Sequence, residues 1–199
     1  MTRIGVLGGT FDPPHYGHLI LAEQAREQLE LSRVLWVPAA DPPHKHGRPI
    51  TPVEHRLEMV RLALVDNPAF EISLVDVNRP GPHYTHEMLA LLAGEHPNAD
   101  LVFLIGEDSL RDLPTWREPS RLIQYATLGV MRRQGITYEM EALEAAIPGL
   151  RERVTFLDTP LIDIAAADLR ARVAAGRTIR YFLPPGVRAY IHQHSLYQV

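Results

Sequence analysis

What most limits the fold of this chain is the regular exchange of two hydrophobic periods. Short apolar runs at 4–7, 34–37, 101–105, 128–131 and 154–157 read as buried strands, and 71–77 alternates like another. Between them lie stretches of helical spacing. Leu19, Ala22, Ala25 and Leu29 share one side of a helix over 18–29, as Leu57, Val60 and Leu64 do over 52–64. Further helices are expected over 84–93, ended by Gly94, near 138–146, over 168–175, closed by Gly176, and over 187–192. Strand followed by helix, repeated, requires right-handed crossovers and a parallel sheet covered on both faces. The expected fold is therefore a doubly wound α/β sheet. Ligands of such sheets sit beyond the carboxyl ends of the strands, where the strand order reverses.

No linker, repeat or low-complexity tract interrupts this pattern. The 199 residues suit one domain over 1–199, with a small helical part from about 165. The one long irregular segment, 38–52, is rich in proline, and loops of that length in compact domains are often functional. Hydrophobic residues make up 46% and charged residues 22%, the balance of a soluble globular protein. A net charge of −4 gives no global footprint for nucleic acid, so a bound anion must be met by a local cluster. There is no cysteine, which excludes disulfides, thiolate nucleophiles and thiolate metal sites. No signal-peptide pattern precedes the first strand and no apolar run could cross a bilayer. A cytoplasmic protein without membrane partners is expected, and a homo-oligomer is compatible with it.

The string Gly8-Gly9-Thr10-Phe11-Asp12-Pro13-Pro14-His15-Tyr16-Gly17-His18 follows the first strand and opens the first helix. Gly8 and Gly9 suit a sharp turn and a close approach of backbone to ligand. Thr10 adds a hydroxyl. A helix starting near His15 presents unpaired N–H groups and the positive end of its dipole. His15 and His18, three apart, lie on one side of that helix, and Gly17 leaves space between them. Two imidazoles and a helix start converging on one point suit a phosphoryl group that gains charge in a transition state. The string is not a P-loop, for no Gly-Lys-Ser/Thr follows, and it lacks Gly-x-Gly-x-x-Gly.

His15-Tyr16-Gly17-His18 resembles the His-x-Gly-His mark of the nucleotidylyltransferase superfamily, which by itself does not choose the acceptor. Other segments are similar to bacterial nicotinate mononucleotide adenylyltransferases. Pro42-Pro43-His44-Lys45 resembles a family segment whose lysine lies near the phosphates; read locally, Lys45 is a solvated charge. Gly81-Pro82-His83-Tyr84-Thr85 precedes a helix, whose first N–H groups can hold a carboxylate. It resembles the family's Ser-Tyr-Thr segment, which recognises the nicotinate carboxylate, with His83 in place of Ser and Glu87 where Asp is common. Ile105-Gly106-Glu107-Asp108-Ser109 ends the most apolar strand. Asp108 there is a ribose-hydroxyl acceptor, a helix cap or both, and Gly106 allows close approach. In Leu113-Pro114-Thr115-Trp116-Arg117, Trp116 is either a core aromatic or a flat surface for a pyridine ring. Of the pair Arg132-Arg133, one faces a phosphate or both are solvated. Ile164-Ala165-Ala166-Ala167-Asp168-Leu169-Arg170 is similar to the family's Ile-Ser-Ser-Thr-x-x-Arg, but alanines replace the hydroxyl residues. The likeness runs from Gly8 to Ile191, through Tyr181-Phe182-Leu183-Pro184-Pro185.

The resemblance implies a Rossmann-like nucleotidylyltransferase fold and transfer of AMP from ATP to nicotinate mononucleotide, giving nicotinate adenine dinucleotide and pyrophosphate. The reacting phosphate is already ionised, so alignment and charge stabilisation suffice. His15, His18, Lys45 and Arg170 are the expected catalytic groups. Gly8, Gly9, Thr10, Phe11, His15, His18, Gly106, Asp108 and Arg170 are expected at ATP, and Tyr84, Thr85, Trp116 and Arg133 at the acceptor. Mg²⁺ is expected to arrive on the ATP phosphates, with no metal-binding residues of the protein's own. The alternatives are a phosphopantetheine adenylyltransferase and a nucleotide-binding protein without turnover.

Overall fold

The computed structural model describes residues 2–41, 50–133, 135–160 and 162–198. Six parallel strands form one sheet in the order β3-β2-β1-β4-β5-β6. They are β1 (Thr2–Gly9), β2 (Arg33–Pro38), β3 (Phe70–Ile72), β4 (Ala99–Gly106), β5 (Ala126–Met131) and β6 (Val154–Leu157). The order runs outward from β1 to one edge and from β4 to the other, so the switch point lies between β1 and β4. Their ends carry Gly8-Gly9-Thr10 and Gly106-Glu107-Asp108.

Successive residues of these strands feed opposite faces of the sheet. Phe103 and Ile105 join a core with Val6, Met88, Leu89 and Leu128. Val102 and Leu104 join another with Leu7, Leu21, Ala22 and Trp36. Unbroken apolar runs are what a parallel sheet buried on both faces requires, and each fully buried aliphatic contributes about 1.5–3 kcal/mol. The covering helices are α1 (Tyr16–Gln28), α2 (Val53–Leu64), α3 (Thr85–Glu95), α4 (Glu107–Asp112), α5 (Pro119–Tyr125) and α6 (Met140–Ala146). A smaller core joins α7 (Ala166–Ala174) and α8 (Pro185–Gln193) to Met59 on α2, through Leu169, Ile179, Leu183, Val187 and Ile191. Among the described residues no helix is long and apolar enough to cross a membrane.

Several sequence expectations are corrected. The strand placed over 71–77 is only Phe70–Ile72. Beyond Ser73 the chain turns, with the Asn78 N–H donating to the Leu74 carbonyl at 2.9 Å. Leu74 is 43% exposed, whereas Asp76 is buried with Arg79 2.9 Å away. An ion pair, not the apolar alternation, organises this stretch. Gly94 does not stop its helix: α3 runs on to Glu95, and the His96 N–H closes on Leu92 at 2.9 Å. Helices α4 and α5 were not expected, and α7 starts at Ala166 rather than Asp168.

Candidate active site

The turn after β1 is not made by the glycines. Gly8 and Gly9 remain in the strand, paired with Val37 and Pro38. The left-handed residue is Phe11, with φ 49°. Glycine at position 9 is required for another reason: a Cβ there would lie 2.9 Å from the Phe11 ring. That ring is buried against Trp36, with centroids 5.0 Å apart, and meets His18 edge-on at 5.2 Å. Phe11, expected at ATP, thus has its side chain behind His18.

His15 caps α1 from an extended backbone, and its N–H donates to His18 Nδ1 at 3.2 Å. With Nδ1 accepting, the neutral His18 ring carries its proton on Nε2. The two imidazoles stack, with centroids 3.7 Å apart and planes 23° from parallel. Burial, and secondarily the charge of Arg133, lower the His15 pKa to about 4. His15 is therefore neutral at physiological pH, which removes the repulsion two stacked cations would suffer. A Cβ on Gly17 would lie 3.1 Å from two atoms of the His15 ring and 3.8 Å from the Ile164 carbonyl. The segment leading to α7 is thus placed beside the histidine turn. Arg170, on α7, donates from Nη1 to the Asp12 carbonyl at 2.7 Å.

At the end of β4, Asp108 lies in the first turn of α4, whose cap is Gly106, so it is not the cap itself. Arg133 Nε is 3.3 Å from Asp108 Oδ1. A Cβ on Gly106 would meet Asp108 at 2.5 Å and Arg133 at 3.1 Å. The structure thus gathers Gly106, Asp108 and Arg133, with the charge of Arg133 felt at His15. Buried Glu107 holds this corner, accepting the Arg133 N–H at 2.8 Å and the Tyr138 hydroxyl at 3.2 Å. Burial and then Glu107 raise the Tyr138 pKa, keeping the phenol a donor.

On the other side of β1 lies a cavity of about 150 Å³, lined by Gly8, Gly9, Thr10, Tyr84, Thr85 and Trp116 among others. A space of that size accepts about one six-membered ring. Trp116 is half-buried in its wall, edge-on to Phe103 with centroids 6.3 Å apart. Among the described residues Tyr84 caps α3 from an extended backbone without a side-chain hydrogen bond, so the first N–H groups of α3 can meet another acceptor. Arg117 lies 5.9 Å from the Tyr84 ring centroid and lines the same cavity. Arg133 is not among its lining residues. His83, where the family has Ser, is buried and accepts the Asp41 N–H on Nδ1 at 2.8 Å; its Nε2 lies 3.1 Å from the Arg79 carbonyl. Glu87 pairs with Arg79 at 2.7 Å.

The main residue missed by sequence reasoning is Arg56, 1% exposed on α2. It donates to the carbonyls of Thr51, Thr10 and Ala39 at 2.8 Å each, and to Ala40 at 3.3 Å. A charged residue in the buried phase of a helix beside Met59 and Val60 was the available signal. Pro42, Pro43, His44 and Lys45 lie outside the described residues.

A doubly wound sheet with a histidine-bearing turn at its switch point defines a class, and the cytidylyltransferase-like family model matches residues 6–172. The chain belongs to that family and, within it, to the nicotinate-nucleotide adenylyltransferases. It is 58% identical to a probable nicotinate-nucleotide adenylyltransferase of Thermomicrobium roseum, over 100% of this chain and 92% of the relative. It is 44% identical to one of Thermus thermophilus, over 98% of this chain and 100% of the relative. The same fold occurs in a solved Plasmodium falciparum nicotinic acid mononucleotide adenylyltransferase complexed with NaAD. That match has a TM-score of 0.81 at 19% identity and covers 99% of this chain and 98% of the other.

Proposed function

We propose that this chain, as one nucleotidylyltransferase domain in the cytoplasm, transfers the adenylyl group of ATP to nicotinate mononucleotide. The observation that carries the reading is the pairing, around one strand end, of a ring-sized cavity walled by Trp116 with a stacked histidine pair. The pyridine ring occupies the cavity against Trp116, and its carboxylate takes the N–H groups at the start of α3. ATP lies across the switch point. Gly106 and Asp108 meet its ribose, and Gly8, Gly9 and Thr10 position its phosphates; Phe11 contributes only main chain.

A 5′-phosphate oxygen of the mononucleotide attacks the α-phosphorus. The new phosphorus–oxygen bond forms as the bond to the bridging oxygen breaks, and pyrophosphate leaves with that electron pair. His18, with its Nε2 proton, and His15 stabilise charge on the α-phosphate and bridging oxygen. Lys45, Arg170 and the start of α7 hold the outer phosphates, and Arg133 adds positive charge beside His15. Among the described residues no three His, Asp or Glu side chains converge to hold a metal. Mg²⁺ would enter as an ion carried by the ATP phosphates and water, where it would neutralise charge.

The test is pyrophosphate release from ATP and Mg²⁺ with nicotinate mononucleotide, nicotinamide mononucleotide or phosphopantetheine supplied separately. Release with the nicotinate compound is expected, and in a folded His18→Ala variant it should fall by about 10²-fold or more. Release with phosphopantetheine alone would overturn the reading.

A further inference from the structure

The last residues of the chain reach the catalytic turn. Ser195 and Tyr197 both adopt left-handed backbone, with φ 50° and 65°. Non-glycine residues hold that conformation only where surrounding contacts impose it. Here the contacts deliver the Tyr197 hydroxyl to Asp12 Oδ1 at 2.7 Å, passing Met59 Sδ at 3.8 Å.

Asp12 is 4% exposed and is held from three directions. Its Oδ1 accepts from Tyr197, its Oδ2 accepts the Thr51 N–H at 3.3 Å, and its carbonyl accepts from Arg170 at 2.7 Å. In the chain it stands between Phe11, whose ring backs His18, and Pro13-Pro14-His15. A second tie lies close by: the Tyr16 N–H donates to the Phe182 carbonyl at 3.0 Å. The segment after β6 therefore grips the histidine turn at both Asp12 and Tyr16.

We propose that Tyr197 is a positioning residue for adenylyl transfer: the tail fixes Asp12, and through it the placement of His15 and His18. Tyr197 touches no reacting atom. Burial, then Asp12, push its phenol pKa upward, so the hydroxyl remains a donor throughout the working range. A hydrogen bond in so dry a place holds geometry more firmly than one in water. Reacting groups displaced by about 1 Å lose rate by up to about 10²-fold. The effect belongs on turnover rather than on affinity for the mononucleotide, because the cavity wall and the start of α3 are not part of this clasp, whereas Arg170, assigned to ATP, is. The inference rests on the assignment of His15 and His18 to the reacting phosphate.

The experiment measures kcat, both Michaelis constants and Tm for the full chain carrying Tyr197→Phe, Asp12→Asn, or both, with His18→Ala in parallel. Tyr197→Phe should lower kcat about tenfold, leave KM for the mononucleotide within about twofold and shift Tm by only a few degrees. The double variant should be no slower than the slower single one, since both changes break one link. Wild-type kcat in Tyr197→Phe, or losses that multiply in the double variant, would overturn the proposal. So would a rate loss that merely follows a large fall in Tm. If His18→Ala is also harmless, the assignment of the histidines has failed. If only His18→Ala is slow, the clasp alone has failed.

Discussion

His15 is a base placed where its charged form is disfavoured. Its pKa of about 4, against the usual 6.5, means the unfolded chain takes up the proton first as pH falls. The stability linked to this group is complete above about pH 6.5. It is lost between there and about pH 4, by about 3 kcal/mol in all. Urea midpoints should drop through that interval, and His15→Asn should flatten the slope; equal slopes in both proteins would refute burial as its source. The identity of His15 and His18 was legible in the sequence because spacing on a helix start is a local property. The depression of one pKa was not, because it depends on burial and secondarily on Arg133, both set by the packing of segments distant in sequence. Phe11 shows the same limit. Its place in the string groups it with the ATP residues, but its left-handed backbone turns the ring inward beneath His18.

Among the elements, α3 and the 3₁₀ turn Leu113–Thr115 bring together two segments that the sequence reads separately. The first supplies uncapped N–H groups and the second ends at Trp116, on the wall of the same cavity. Trp116→Ala should raise KM for the mononucleotide about tenfold, from lost burial and lost ring contact, with little change for ATP. Equal losses for both substrates, measured in steady-state assays, would make Trp116 a core residue instead. The long apolar strands and the helices α1 and α2 were readable from period alone. Helices α4 and α5 are one to two turns each, too short for a periodic stripe to stand out. The strand expected over 71–77 failed because Asp76 carries a buried ion pair, and pairing overrides alternation.

At the scale of the whole molecule, Arg56 joins parts that no local pattern connects. Its guanidinium fastens the end of the glycine string, the residues after β2 and the approach to α2 by their carbonyls. Arg56→Met would strand those acceptors, at a cost of about 3 kcal/mol or more in urea unfolding. Arg56→Lys should recover only part, because an ammonium lacks the planar fork. A loss below about 1 kcal/mol would mean that water replaces the guanidinium freely. The sequence by itself determined the alternating elements, and hence a parallel sheet with its ligand end at the first turn, because hydrophobic period is local and repeats along the chain. It also carried the motif types: histidines at a helix start, glycines at strand ends, an aromatic after a proline turn. Only the tertiary structure decided which of these share a space. The proximity of Arg133 to His15, the fastening of four carbonyls by Arg56 and the reach of Tyr197 to Asp12 all arise from contacts distant in sequence. Such contacts form only once the strand order and the packing of the helices bring the partners together.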